Sequence, residues 1–349
     1  MPAPGGATAL TIGLPPALQA AIDAELDARA TGRLGEASAA LTREYAAGRA
    51  SAVADPRQHA AYLAARLPAT YAAVSATLAM IPADVRDRLR TLLDLGAGPG
   101  TATWAARERC PNLESALLVD RSADLLATAA RLGRTSGADA AVAVTTRVGD
   151  ASRGTWPRAD LVIVAYALAE LDGPSRTAAL AAAWAATADV LVLVEPGTPD
   201  GFERLRDARS RMLAGGAALL APCPHAGDCP MTGADWCHFA VRVPRTRRHR
   251  HVKGGTLGYE DEKFACLVMG RAAAAPGEEA RVLRHPRIDK GRVGLTLCTT
   301  DGIARVTITR RDETYRAARK VGWGDAWGAA PIRAADDEPS QDDGGACQA

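Results

Sequence analysis

Hydrophobic and polar positions change rhythm twice along the chain. Between residues 14 and 80, in "ALQAAIDAELDARA" and "AAYLAARLPATYAAVSATLAMI", apolar side chains recur at helical spacing and prolines punctuate the pattern. From Thr91 short apolar runs alternate with helical patterns. "TLLDLG", "SALLVD", "AVAVTTRVGD", "DLVIVAYA" and "VLVLVEPG" read as strands; "TATWAARERC", "SADLLATAARLGR" and the alanine-rich stretch 174–187 read as helices. Strands that are apolar almost throughout are covered on both faces and run parallel. Right-handed crossovers then give a doubly wound α/β fold.

After Pro196 the alternation breaks. "DGFERLRDARSRML" predicts a charged helix, and "CHFAVRV" with "KFACLVMG" a last pair of strands in the same sheet. "GRVGLTLC" and "ARVTITRR" around a "TTDG" turn predict a small β element within 281–315. The acidic, Gly-rich tail from Ala334 has the composition of a disordered segment. The expected organisation is an N-terminal helical region (1–85), an α/β domain (86–275) with a cysteine-rich insertion (221–253), a small C-terminal β extension (276–330) and a disordered tail (331–349).

Composition narrows the partners. A chain of 349 residues, 48% hydrophobic, can bury a large core. No run approaches the ~18 apolar residues of a membrane span. The first arginine is Arg29, so the first twenty residues lack the basic flank of a secretory or organellar leader. A cytoplasmic protein with no membrane partner, monomeric on its own, is expected. Only four of the 42 basic residues are lysines, so arginine abundance by itself says little. Its distribution says more. Residues 237–320 hold 19 Arg/Lys and 9 Asp/Glu, a balance of +10, and with a net charge of +2 the remainder sums to −8. A basic C-terminal half on an acidic remainder points to a polyanion. Arg242, Arg245, Arg247, Arg248, Arg250 and Lys253, around His249 and His251, are the candidate contacts. Guanidinium forks suit phosphates. The region has few aromatics, so RNA shape and backbone, more than base stacking, is the expected target. The competing reading is a solvated charged face.

"LLDLGAGPGTATWAA" places a glycine loop where the first strand turns into the first helix, with Gly96, Gly98 and Gly100 spaced G-x-G-x-G. Without Cβ atoms such a loop bends sharply and lets a ligand approach its backbone. Asp94 stands just before it. Asp120 closes the second strand about twenty residues on, where an acid takes ribose hydroxyls. Asp150, after the third strand, is placed for an adenine amino group. Over Thr91 to Gly197 this pattern resembles the class I S-adenosylmethionine-dependent methyltransferases. The resemblance implies a Rossmann-like sheet, S-adenosyl-L-methionine as cofactor, its methionine end in the loop and its ribose on Asp120. No Asn/Asp-Pro-Pro-aromatic motif follows the fourth strand, and no cysteine nucleophile follows the fourth or fifth. Tyr166 and Glu170 face the expected site, and no catalytic residue is assigned.

Cys223, Cys229 and Cys237 are spaced C-x5-C-x7-C. Zinc sites favour C-x2-4-C pairs, because a tight turn must bring two thiolates to one ion. The looser, proline- and glycine-wrapped spacing suits a larger object such as a four-iron cluster, with zinc as the alternative. Cys298, at the end of a strand in the β element, is the best candidate for a fourth thiolate. Cys266 reads as core, His225 and His238 as alternative ligands, and Cys110 and Cys347 as incidental.

"CPHAGDCP", "WCHF", "PRTRRHR", "GYEDEKFACLV", "LTLC" and "KVGWGD", with "AAYLAARLPATYAAV" before the glycine loop, resemble the methyltransferase-like proteins of the small ribosomal subunit known from mitochondria and bacteria. The similarity spans roughly residues 14–328. It implies a [4Fe–4S] cluster on Cys223, Cys229, Cys237 and Cys298. It also implies binding to small-subunit ribosomal RNA, or to the pre-ribosomal small subunit, during assembly and translation. Methyl transfer, a non-catalytic assembly role with a relic cofactor pocket, and a zinc-stabilised small-molecule methyltransferase remain alternative readings.

Overall fold

The computed structural model describes residues 10–28, 56–136, 142–253, 256–272 and 280–328, with a few positions between 35 and 43. The expected disordered tail, Cys347 and much of the stretch between the N-terminal helices lie outside the described residues. Five parallel strands follow the predicted runs: β1 (Thr91–Leu95), β2 (Ser115–Asp120), β3 (Ala143–Val148), β4 (Ala159–Ala165) and β5 (Thr187–Pro196). Helices 101–109, 123–135 and 173–186 connect them. β1, β4 and β5 are buried almost throughout, as strands covered on both faces must be, whereas β3 at the sheet edge is largely exposed.

The last strand pair extends the sheet as predicted, with an addition. β8 (Tyr259–Gly270) runs antiparallel to β5 along Phe264–Gly270. Its other edge carries β7 (Phe239–Pro244) on the first half and the short β6 (Ala218–Ala221) on the second. Sequence periodicity missed β6 because four residues hold no periodic signal. β6 and β7 are one edge strand interrupted by residues 222–238, so the cysteine segment leaves the sheet and returns to the same edge. The order β3-β2-β1-β4-β5-β8-β6, with β8 reversed, is the class I methyltransferase topology.

One face of the sheet packs on the helices 101–109 and 123–135 and on the N-terminal helices Pro16–Ala28 and Pro56–Ala79. The other packs on 173–186 and on Pro199–Ala214. The long N-terminal helix widens into a π turn at Tyr62–Arg66, closed by the Leu67 N–H on the Tyr62 carbonyl. Pro68 explains it: proline brings no N–H and its ring crowds the carbonyl four residues back, so the helix must open before it.

The C-terminal β element is larger than the predicted hairpin. β11 (Arg292–Thr299) and β12 (Gly302–Thr309) pair around the expected two-residue turn, and β9 (Ala280–Val282), β10 (Arg287–Asp289) and β13 (Ala326–Trp327) complete a five-stranded antiparallel sheet. It has its own core of Val282, Val293, Leu295, Leu297, Val306 and Ile308. A separate apolar knot of Phe202, Met231, Leu283 and Cys298 joins it to the main body beside Cys229 and Cys237.

Candidate functional site

The glycine loop is held from within its own strand–turn–helix. Gly96, Gly98 and Gly100 all adopt positive φ (76°, 53° and 80°). At Gly96 an added Cβ would lie 2.5 Å from the Ala167 Cβ, so the loop and the end of β4 approach as closely as only glycine allows. Asp120 stands at the end of β2. Its Oδ2 accepts the Gly98 N–H at 2.8 Å and its Oδ1 the Ser122 N–H at 2.8 Å. Each carboxylate oxygen keeps a further lone pair for a ligand hydroxyl. Asp94 faces inward: it accepts the Thr103 N–H at 3.1 Å and the Thr103 hydroxyl at 2.8 Å, tying the strand to the first turn of the helix. Burial pushes its carboxyl up to about 7, against the lowering effect of those bonds. Asp150 accepts the N–H and hydroxyl of Ser152, which draw its carboxyl below the usual range.

Around this loop the structure gathers the expected Tyr166 and Glu170 with Tyr62, Arg66 and Glu262, which sequence reasoning missed. The Tyr62 hydroxyl lies 4.0 Å from a Cβ built on Gly98, brought there by the π turn. Arg66, from the same turn, ion-pairs with Glu262 of β8 at 3.2 Å, and its guanidinium stands 5.6 Å from the Tyr166 ring centre. Tyr166, at φ +59°, donates its hydroxyl to Glu262 at 3.0 Å. A non-glycine residue at positive φ is strained and marks a constrained site. Glu170, 3.6 Å from Arg121, is pushed up to about 7 by burial first and by the neighbouring Asp120 charge next. The signal for Arg66 was its place in an otherwise apolar helical run, between Leu63 and Leu67.

The predicted cysteines meet. Cys223, Cys229 and Cys237 from the excursion and Cys298 from β11 line one cavity of about 50 Å³. His225 lines it too, its Nε2 3.8 Å from the Cys298 Sγ. So does Cys266, expected as plain core; its sulfur also lies 3.9 Å from that of Met80. His238 turns elsewhere and packs between Trp236 and Trp323. Cys110 is buried in the main core. Burial pushes the Cys223 and Cys237 thiols up, Cys237 strongly, and Cys298 and Cys266 up to about 12. Arg209 opposes this at Cys223. Three arginines, Arg206, Arg209 and Arg281, line the cavity without having been predicted. Arg209 donates to the His225 and Gly227 carbonyls at 2.8 and 2.7 Å, and Arg281 to the Pro222 carbonyl at 2.9 Å. Among the described residues no group of three or more His, Cys, Asp or Glu is arranged to hold a single metal ion. The donor chemistry instead fits an anionic, thiolate-held group spread around a cavity: the four predicted cysteines with Cys266 beside them, mostly apolar walls and adjacent guanidinium charge.

The basic run is divided. Arg242 forks onto Asp261 and stands 3.8 Å from the Tyr259 ring centre, Arg245 pairs with Glu260, and Arg248 reaches Asp27 and the Asp23 carbonyl. Arg247 is exposed and Arg250 half-buried on the short helix Arg247–Lys253. The small sheet exposes Arg287, Lys290, Arg292, Arg305, Arg310 and Arg311 as well. No helix among the described residues is long and apolar enough to cross a membrane.

Residues 56–328 match the family described as mitochondrial small ribosomal subunit Rsm22. The human mitochondrial ribosome assembly protein METTL17 is 32% identical over 286 residues, which cover 76% of this chain and 61% of that protein. The mitochondrial Rsm22-cox11 tandem proteins 1 and 2 of Schizosaccharomyces pombe are each 24% identical over 327 residues, covering 78% of this chain and 43% of theirs. Among solved structures, an O-methyltransferase family protein from Burkholderia thailandensis aligns at 16% identity over 64% of this chain and 62% of its own, with a TM-score of 0.41. The expected cytoplasmic location is corrected by these relatives, which are mitochondrial by name. That expectation rested on leader composition alone, which carries no information about the folded domain.

Proposed function

We propose, for a chain that belongs to the Rsm22 family of mitochondrial small ribosomal subunit proteins, a role in small-subunit assembly as a methyltransferase-fold RNA-binding protein held together by an iron–sulfur cluster. The observation that carries this reading is the meeting of Cys223, Cys229, Cys237 and Cys298 at one cavity, since it joins an excursion of the main sheet to a separate small sheet. Those four side chains would hold a [4Fe–4S] cluster, and the cluster would supply the cross-link. The glycine loop, with Asp120 for the ribose and Asp150 beside it, would hold S-adenosyl-L-methionine. The exposed cations, Arg247 and those of the small sheet, would take the RNA backbone, adding counterion release to the affinity.

Anaerobic purification tests the cluster. The reading expects about four irons and four sulfides per chain and a brown chromophore, both lost in Cys229→Ser. A colourless protein with one zinc would overturn it. Lys253 was also expected among the RNA contacts. Arg247→Gln should weaken binding to small-subunit RNA and lower the salt slope by about one.

A non-catalytic version is favoured by one observation. Tyr166, the first residue after β4, has its hydroxyl engaged by Glu262, which Arg66 already neutralises. Transfer of a labelled methyl group from the cofactor to immature small subunits separates the two versions. Absence of transfer with RNA binding retained supports the non-catalytic one.

A further inference from the structure

Arg209 sits where a charge is costly. The helix Pro199–Ala214 buries Phe202, Leu205, Ala208, Arg209 and Met212, so Arg209 occupies a core position of an amphipathic helix at 5% exposure. Its Nη2 donates to the His225 and Gly227 carbonyls, which shape the loop between Cys223 and Cys229. Its Nε is buried with no hydrogen-bond partner. No carboxylate among the described residues forms an ion pair with it. The neighbouring helix arginines differ: Arg204 pairs with Glu195, Arg206 with Glu203 and Arg211 with Asp207.

Removing a guanidinium from water without a counter-charge is strongly unfavourable, and carbonyl dipoles offset only part of that. The walls nearby are Phe202, Leu205, Met231 and Leu283, which screen little. Four neutral thiols would leave the guanidinium uncompensated; four thiolates around an iron–sulfur core carry net negative charge. We propose that Arg209 is the counter-charge of the group held by the four cysteines, stabilising its retention and raising its reduction potential as a positioning residue. This rests on the iron–sulfur reading above. Adding an electron makes the group more negative, so a fixed positive charge beside it favours reduction.

The test compares wild type, Arg209→Lys and Arg209→Gln, all purified anaerobically. Iron and sulfide are measured first, then the rate of iron release to an excess of chelator, then the reduction potential by spectroelectrochemical titration. Arg209→Gln is expected to release iron about 10–100-fold faster. Its potential should move to more negative values. Arg209→Lys keeps the charge and loses the fork, so its potential should stay near wild type. Wild type without iron would defeat the iron–sulfur reading itself. Iron in wild type, with unchanged release and potential in Arg209→Gln, would overturn the role of Arg209 alone. Equal losses in both variants, with the potential of the remaining cluster unmoved, would reduce Arg209 to a loop brace and also overturn it. If Arg209→Gln fails to fold, Arg209→Met, which also removes the charge, is read in its place: a more negative potential supports the proposal and an unmoved one overturns it.

Discussion

The glycine loop and the cysteine cavity are built in opposite ways. The loop is nearly contiguous, running from Asp94 to Thr103 with Asp120 across the neighbouring strand, and its acids are answered by N–H and O–H groups of the same turn. The cavity draws on the helix Pro199–Ala214, the 222–238 excursion, β8, β9 and β11. It leaves thiols pushed far up in pKa and a buried Nε without a partner. The first has its polar groups answered from within. The second does not, and on the iron–sulfur reading it is the cluster that would answer them and couple its binding to folding.

That contrast breaks most visibly at a cysteine. On the iron–sulfur reading, Cys229→Ser should lose iron and free the small sheet, so that limited proteolysis separates it from the main body while cofactor affinity at the glycine loop persists. A sheet as protease-resistant as wild type would mean that the apolar knot around Leu283 suffices without the cluster.

The next effect is steric. Gly96→Ala places a Cβ 2.5 Å from that of Ala167 at φ +76°, which should cost about 1–3 kcal/mol in denaturant unfolding. Iron content should be untouched, because the loop and the cavity share no residue. A variant as stable as wild type would show that the loop relaxes and that its close approach to β4 is not required.

Asp120→Ala sharpens the ligand side. Removing the carboxylate unmakes its bonds to Gly98 and Ser122 and, on the proposed reading, the grip on the ribose. Calorimetry should find cofactor affinity lowered about tenfold or more. Unchanged affinity would remove the ribose role and leave Asp120 as a loop brace.

The smallest effect is a pH slope. The Asp94 carboxyl is raised from 3.8 to about 7 by burial. Below the unfolded value it is neutral in both states and costs nothing. As pH rises through about 7 the folded state must hold a buried charge that the unfolded state carries in water, and stability falls. Glu170, also raised to about 7, acts in the same direction. Asp94→Asn stays neutral, so between pH 5 and 8 it should gain on wild type by about 1 kcal/mol or more. Parallel stability–pH curves for the two proteins would show that Asp94 does not ionise in this range.

Most of the fold was legible because its signals are local. Alternating apolar runs gave β1 to β5 and their helices, and "TTDG" gave the β11–β12 turn. What escaped was short or non-periodic: β6, β9, β10 and β13 have two to four residues each. At the sites, glycines and cysteines were legible because few residue types can do what they do. Arg209 was written in the sequence as an arginine in the stripe of Phe202, Leu205 and Met212, but a stripe does not say which of its members is buried without a counter-charge. Arg242, Arg245 and Arg248 read as RNA contacts because sequence counts charges, while β8 and the first helix supply the carboxylates that meet them.

The sequence by itself therefore determined the strand and helix runs of the parallel sheet, the glycine loop at its first turn and the candidate thiols, since each is read from a local run or from a residue type. Only the tertiary structure decided that β8 would reverse beside β5 and that the cysteine segment would leave and rejoin one sheet edge. It also brought Cys298, the candidate for the fourth thiolate, to the cavity with Arg209 and Arg281, and decided that Glu262 would meet Arg66 and Tyr166. Those outcomes depend on which distant surfaces exclude water together, and no local pattern of hydrophobic and polar residues records that pairing.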